Sequence, residues 1–262
     1  MLLRNGLEGK TIMPANKEIV TWVKHWSDKT FSFKTTRNYP NKFNNGEFAM
    51  VGMENDGKNI MRAYSFASAN HENFLEFLSI KINDGPLTSK LQHIKEGDEI
   101  LINPRSTGTL VIDYLMPGRN LYLISTGTGL APFLGIIKDP ITYERFEKVI
   151  LTHTVQYADE LAYHETLNNF NEEWKTITNG NFRYFNTLTQ QDWPRKGRIT
   201  EWIKNGKLFS EQSLDPEQDR FMICGSQGLN TDLIKHFESL SMQEGNTRIP
   251  GQFVVEKAFV KR

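Results

Sequence analysis

Near Pro117-Gly118 the chain changes its hydrophobic pattern, and that change constrains the fold more than any other feature of its 262 residues. Ahead of it, residues 18–25, 31–36, 48–52, 60–66 and 74–82 are short runs rich in β-branched and aromatic side chains, largely separated by Gly, Asn, Asp and Pro. Leu78, Ile80 and Ile82 alternate with Ser79 and Lys81, the period of two expected of a strand with one buried face. Several strands at such short spacing predict a sandwich or barrel. One short helix is expected over residues 88–94, capped by Thr88 or Ser89, with Gly97-Asp98 turning the chain into a strand over 99–103. Beyond Pro117 the apolar runs at 121–125, 149–153, 182–188 and 221–224 are each followed by a helical stretch, at 131–138, 160–170, 199–205 and 229–243. A last strand is expected over 253–259. Alternation of this kind implies right-handed crossovers and a parallel sheet covered on both faces. The expected fold class is therefore β followed by α/β: an antiparallel β-barrel over residues 1–117, then a doubly wound parallel-sheet domain of nucleotide-binding type over 118–262.

Composition excludes several function classes. Lys plus Arg equals Asp plus Glu at 31 each, so the zero net charge gives no support for wholesale attraction to nucleic acid, although a local basic patch is allowed. Apolar runs such as 121–124 are far too short to span a bilayer, so no membrane partner is expected. The opening MLLRNGLEGK has no apolar core and no small-residue cleavage pattern, so no secretion signal is expected. A single cysteine, Cys224, excludes an intrachain disulfide and a Cys-based metal cluster, and fits a reducing cytoplasm. The six histidines show no ligand spacing, so no metal is expected. Neither a G-x-S-x-G elbow nor a P-loop occurs, and hydrolase and NTP-motor readings fall away.

Five motifs carry chemistry. In Arg62-Ala63-Tyr64-Ser65, on an expected strand, Arg62 and Tyr64 share one face and Ala63 and Ser65 the other. A guanidinium beside a phenol suits a ligand with a phosphate and an aromatic ring, though an ordinary strand with an exposed Arg–Tyr pair has the same pattern. Gly85-Pro86-Leu87-Thr88-Ser89 turns a strand into a helix whose free amides and hydroxyls suit an anion; plain helix capping is the alternative. Thr126-Gly127-Thr128-Gly129-Leu130-Ala131-Pro132 follows a strand and opens a helix, a turn that lets backbone approach a pyrophosphate without matching G-x-G-x-x-G. Cys224-Gly225-Ser226 ends another parallel strand, where Cys224 either lines the same crevice or is a small buried hydrophobe. Glu256, within the final strand, is either an exposed strand residue or a carboxylate serving proton-linked electron transfer.

RAYSFAS, DGPLTSKLQ, TGTGLAPF and VVEKAFV occur together, in the order found in bacterial ferredoxin–NADP reductases, and the chain resembles that family over almost its whole length. The resemblance implies an amino-terminal FAD-binding barrel and a carboxy-terminal NADP-binding domain, with the flavin at their junction. It implies that Arg62 holds FAD phosphate, Tyr64 packs on the flavin ring, and Ser65, with Ala63 beside it, reaches the ring's N5 edge. Ile80, Lys81 and Ile82 would run along the flavin, and Leu87, Thr88 and Ser89 would bind pyrophosphate. Ala258 would stand where plastid-type enzymes carry a shielding tyrosine, and Phe259 would extend along the FAD. Thr126 to Gly129 would meet both nucleotides, and Thr154, Gln156, Arg198, Gly225 and Ser226 would serve NADP. Ser65, Cys224 and Glu256 would form the site of hydride transfer. Gln156 and Gln190 stand where similar sequences carry arginines for the 2′-phosphate, while Arg198 remains, which leaves room for NAD(H). The implied activity is NADPH-dependent electron transfer to ferredoxin or flavodoxin by a monomer, with a basic face such as Lys34, Arg37 and Lys42 steering an acidic carrier. An NADH-preferring flavin reductase with another acceptor, and a flavin-bearing interaction module without turnover, are the competing readings.

Overall fold

The computed structural model describes residues 15–38, 42–209 and 214–257. Six strands form the first sheet: β1 (Asn16–His25), β2 (Thr30–Thr35), β3 (Phe48–Asn55), β4 (Lys58–Ser65), β5 (Leu75–Ile80) and β6 (Glu99–Thr107). Every pairing is antiparallel, in the order β4-β3-β6-β1-β2-β5. An isolated bridge between Phe66 and Phe77 brings the two edges together and curls the sheet into a barrel. Register shifts between Val20 and Trp22 and between Ala49 and Val51 supply the curvature, because a bulge bends its strand and deepens the local twist. The β3–β4 hairpin turns on Asp56 (φ 51°) and Gly57 (φ 73°), the left-handed pair that two-residue hairpins favour. Phe31, Phe33, Phe43, Phe66 and Phe77 fill the interior, none more than 1% exposed, and each such ring contributes roughly 1.5–3 kcal/mol by burial.

The second sheet is parallel, with β7 (Asn120–Thr126), β8 (Lys148–Val155), β9 (Phe182–Leu188), β10 (Asp219–Gly225) and β11 (Phe253–Lys257) in the order β11-β10-β7-β8-β9. The helices are α1 (Thr88–Leu91), α2 (Ala131–Ile136), α3 (Pro140–Arg145), α4 (His164–Asn168), α5 (Phe170–Glu173), α6 (Lys175–Thr178), α7 (Ile199–Lys204) and α8 (Gln227–Ser239). Leu121, Leu123, Leu151, Met222 and Val254 pack on one face with Phe133 of α2 and Phe170 of α5. Tyr122, Ile124, Phe221 and Phe253 pack on the other with Ile199 of α7 and Leu233 of α8. Ala67, Leu78 and Leu110 from the barrel side join the first cluster, so the barrel covers part of that face. The order of an antiparallel barrel followed by a doubly wound sheet is the expected one. Among the described residues no helix is long and apolar enough to cross a membrane.

Four local expectations need correction. The helix expected over 160–170 is broken, because Tyr163 adopts φ 60° ahead of α4, and short helices continue to Thr178. α3 was not anticipated, although Asp139 accepts from Ile141 N and Pro140 occupies the first turn, a standard start signal. α1 ends at Leu91 and has no side-chain cap, since Thr88 Oγ1 donates to Ile82 O (3.2 Å) instead. β6 runs on to Thr107, past the expected end at 103.

Candidate functional site

Strands β8 and β9 lie on one side of β7, and β10 and β11 on the other. The connections leaving β7 and β10 therefore diverge, and in open α/β sheets such a switch point opens a crevice beyond the carboxyl ends of the strands. Gly127, at φ 53°, begins the turn after β7, and a Cβ placed on it would meet nothing within 4 Å, so it faces open space. Gly129 and Gly225 answer a different demand. A Cβ on Gly129 would lie 2.2 Å from Cys224 O, and one on Gly225 2.1 Å from Thr126 Oγ1. The two turns thus touch backbone to backbone, and Ser226 N donates to Thr126 Oγ1 at 3.0 Å. Ser226 also caps α8, accepting from Leu229 N through Oγ. Thr128 is half-buried on the same turn.

Register builds a polar row across the sheet just below this crevice. Glu256 pairs with Cys224, Cys224 with Ser125, Ser125 with His153, and His153 with Asn186. Cys224 is 2% exposed. Burial, with the Glu256 carboxyl beside it, pushes its thiol far up, so it is a neutral, weakly nucleophilic group. Burial raises the Glu256 carboxyl to about 8; Glu47 adds to the rise and the Thr109 N–H opposes it. Glu256 Oε2 is shut off from solvent and has no hydrogen-bond partner among the described residues. Two contacts hold this end of β11: Asn230 Nδ2 donates to Glu256 O (3.0 Å), and Thr109 Oγ1, past the end of β6, donates to Val255 O (2.8 Å). The barrel therefore reaches the parallel sheet at Glu256.

On the barrel, Arg62 of β4 is exposed, with Nη1 donating to Met61 O (2.8 Å). Tyr64 stands edge-on to Phe77 (centroids 6.4 Å apart), and its hydroxyl lies 3.1 Å from Ser79 Oγ. Burial raises the phenol's pKa, with Ser79 and the Arg62 charge opposing. Ala63 is exposed, while Ser65 is half-buried opposite Phe48. Ile80 is half-buried and Ile82 is 40% exposed. The Lys81 ammonium donates to Ser27 O (2.7 Å). Leu87 is buried in the barrel core, so only its backbone is left to face a ligand, and Ser89 is half-buried beside Thr88. Ala258 and Phe259 lie outside the described residues.

At the far edge of the crevice, Gln190 N donates to Gln156 O (3.1 Å), so the two glutamines meet beyond β8 and β9. Arg198 is exposed at the start of α7. The Thr154 hydroxyl is buried, 2.7 Å from that of Thr187. The steering face drawn from Lys34, Arg37 and Lys42 is corrected: Arg37 Nη1 donates to Asn70 O and Glu72 O over the Phe43 ring, and Lys34 lies 4.0 Å from buried Glu76. Lys42 alone of the three is exposed. Ser125, His153, Asn186 and Asn230 escaped the sequence reading. Their common signal is a polar residue near the carboxyl end of an otherwise apolar strand or on the helix that follows.

The site has what FAD and a nicotinamide dinucleotide require: an exposed arginine and an aromatic on one barrel strand, glycine turns at a switch point, and between them a buried carboxyl whose Oε2 has no hydrogen-bond partner among the described residues. Residues 20–109 match the Oxidoreductase FAD-binding domain and residues 123–235 the Oxidoreductase NAD-binding domain. The chain is 47% identical over 249 residues to Ferredoxin--NADP reductase A of Sorangium cellulosum, covering 93% of this chain and 90% of that protein. It is 45% identical over 254 residues to the Ferredoxin--NADP reductase of Azotobacter vinelandii, covering 94% and 98%. A crystal structure of a ferredoxin NADP+ reductase from Neisseria gonorrhoeae with bound FAD and NADP superposes with a TM-score of 0.85 at 31% identity, covering 93% of this chain and 98% of that one. The architecture, the crevice and these likenesses agree: the chain belongs to the ferredoxin–NADP reductase family of FAD- and NAD(P)-binding oxidoreductases.

Proposed function

We propose that this enzyme takes electrons from NADPH and passes them one at a time to ferredoxin or flavodoxin, acting as a monomer in the cytoplasm. The observation that carries the reading is the buried Glu256 carboxyl, without a partner at Oε2 among the described residues, in one row with Cys224 where the barrel meets the switch point. Bound FAD supplies the chemistry that side chains lack, accepting two electrons together and releasing them singly. In this reading residues 1–117 bind FAD and residues 118–262 the dinucleotide. Arg62 pairs with FAD phosphate and Tyr64 packs on the ring. Ala63, Ser65, Ile80, Lys81 and Ile82 line its edge, and the Leu87, Thr88 and Ser89 backbone and hydroxyls meet the pyrophosphate. Thr126, Gly127, Thr128, Gly129, Thr154, Gly225 and Ser226 receive the dinucleotide. Cys224 and Ser65 orient the reactants, and Glu256 holds a proton at Oε2. Positioning of this kind matters, because misplacing reactants by about an ångström can cost roughly a hundredfold in rate.

The meeting of Gln156 and Gln190 favours a second point: discrimination against NADH is weak. Glutamine donates hydrogen bonds but lacks the charge that strengthens an arginine–phosphate contact, and Arg198 is left to supply it. The test is anaerobic stopped-flow mixing of the yellow holoprotein with NADPH and NADH. Flavin bleaching by both is expected, faster or at lower concentration with NADPH. Bleaching by neither dinucleotide identifies a module without turnover, and bleaching by NADH alone overturns the NADPH assignment. Arg62→Ala is expected to weaken FAD binding about tenfold to a hundredfold, the equivalent of roughly 1.5–3 kcal/mol for a charge-assisted contact.

A further inference from the structure

His153 has no part in the roles above, yet its surroundings fix it closely. The ring is 1% exposed on β8, opposite Ser125 of β7. Its Nε2 lies 3.1 Å from the carbonyl oxygen of Gly127, and its Nδ1 3.4 Å from the Tyr184 hydroxyl. A carbonyl can only accept, so Nε2 carries the hydrogen. Nδ1 is then a bare acceptor, and the Tyr184 hydroxyl donates to it. Burial, with His164 nearby, pushes the imidazole down to about 4 and keeps it neutral. Asn186 lies beside the Tyr184 hydroxyl, and its Oδ1 accepts from Trp193 Nε1 at 2.7 Å.

The consequence lies across one peptide bond. Peptides here are trans, and a trans peptide points its C=O and N–H in opposite directions. With the Gly127 carbonyl drawn toward His153, the Thr128 N–H points away from the ring. Gly127 itself borders open space at φ 53°, where it opens the short 3-10 turn Gly127–Leu130 with no side chain of its own to fix the peptide. We propose that His153 is a positioning residue for the dinucleotide: by holding the Gly127 carbonyl it aims the Thr128 N–H at a phosphate of bound NADP(H). The proposal rests on the reading that the Thr126–Gly129 turn receives the dinucleotide.

The test uses the FAD-loaded protein and NADP+ as the probe. His153→Leu removes the donor, while His153→Gln keeps an N–H at similar reach. The leucine variant is expected to bind NADP+ about tenfold more weakly by calorimetry, the equivalent of one lost hydrogen bond, with kcat at saturating NADPH within about twofold of the parent. The glutamine variant should recover most of the affinity, which a residue serving only as filler would not do. Nitrogen-15 spectra of the imidazole should show a protonated Nε2 and a bare Nδ1 at neutral pH, with the Nε2 signal moving when NADP+ is added. Equal weakening in both variants, unchanged affinity in the leucine variant, or a protonated Nδ1 overturns the proposal. Should His153→Leu not fold, Tyr184→Phe removes the hydroxyl that fixes Nδ1; it is expected to weaken NADP+ binding about threefold, and no change overturns the proposal. A parent that binds no NADP+ fails at the underlying site reading; a parent that binds it beside unaffected variants fails only here.

Discussion

Glu256 sits between two surroundings that disfavour its charge: the buried row beside Cys224, and Glu47 of the barrel. Glu47 is itself held by the Ser106 hydroxyl (2.7 Å). The folded carboxyl titrates at about 8, against 4.5 when unfolded. Folded protein thus holds this proton more tightly, and the sign of the linkage follows: the stabilising contribution is complete below pH 4.5 and is lost as pH rises through about 8. His153 acts in the opposite sense. Its pKa is lowered from 6.5 to about 4, so its contribution is present above 6.5 and is lost as pH falls through about 4. Glu256→Gln should therefore flatten the alkaline side of the stability curve and leave the acid side unchanged. Urea midpoints at pH 5, 7 and 9 check this, and parallel curves for parent and variant would mean an ordinary carboxylate. In the kinetics, flavin reduction should slow in Glu256→Gln and lack the ionisation near pH 8 expected of the parent.

At the scale of the element, the paired turns after β7 and β10 distinguish two kinds of glycine. Gly127→Ala meets open space and only the strain of a left-handed φ, which costs about 1–2 kcal/mol. Gly129→Ala drives a methyl into the Cys224 carbonyl, a buried backbone atom that cannot step aside without separating β7 from β10. It should cost clearly more than Gly127→Ala in chemical denaturation and weaken NADP+ binding as well; equal losses would mean that the two turns are free to part. Much of this region was legible in the sequence. The apolar runs marked β7 and β10, and the glycines marked their turns, because period and turn chemistry are local. The polar row was not legible: Ser125, His153 and Asn186 meet only through register between strands far apart in the chain. The break at Tyr163 and the inward turn of Thr88 escaped for the same reason, since tertiary partners outweigh local helix preference there.

At the scale of the whole molecule, electron transfer depends on how the barrel is set against the parallel sheet, and Tyr163 is a polar fastener between them. Its hydroxyl lies 2.6 Å from Ser32 Oγ of β2 and 2.8 Å from Glu76 Oε1 of β5. Trp26 Nε1 donates to the same Ser32 oxygen (2.8 Å), and the Trp26 and Tyr163 rings pack at 4.4 Å. Nearby, Lys138 of the sheet half pairs with Glu72 of the barrel at 3.0 Å, both side chains about 15% exposed, and Asn45 donates to Asp139. A tyrosine at φ 60° costs roughly 1–2 kcal/mol, and it persists because these contacts fix the ring from both sides. Tyr163→Phe keeps the ring on Trp26 and removes only the hydroxyl. Glu76, a buried carboxyl whose pKa burial already raises, then loses one of its few donors, and the loss should be about 1–3 kcal/mol of stability. NADP+ affinity should hold, because the dinucleotide turns lie wholly within the parallel sheet. Flavin reduction at saturating NADPH should slow several-fold as the barrel loosens against Glu256, and Trp26 emission should shift to the red as its surroundings admit water. A variant as stable and as fast as the parent would show that other contacts, and not the Tyr163–Glu76–Ser32 contact, set the two halves in register.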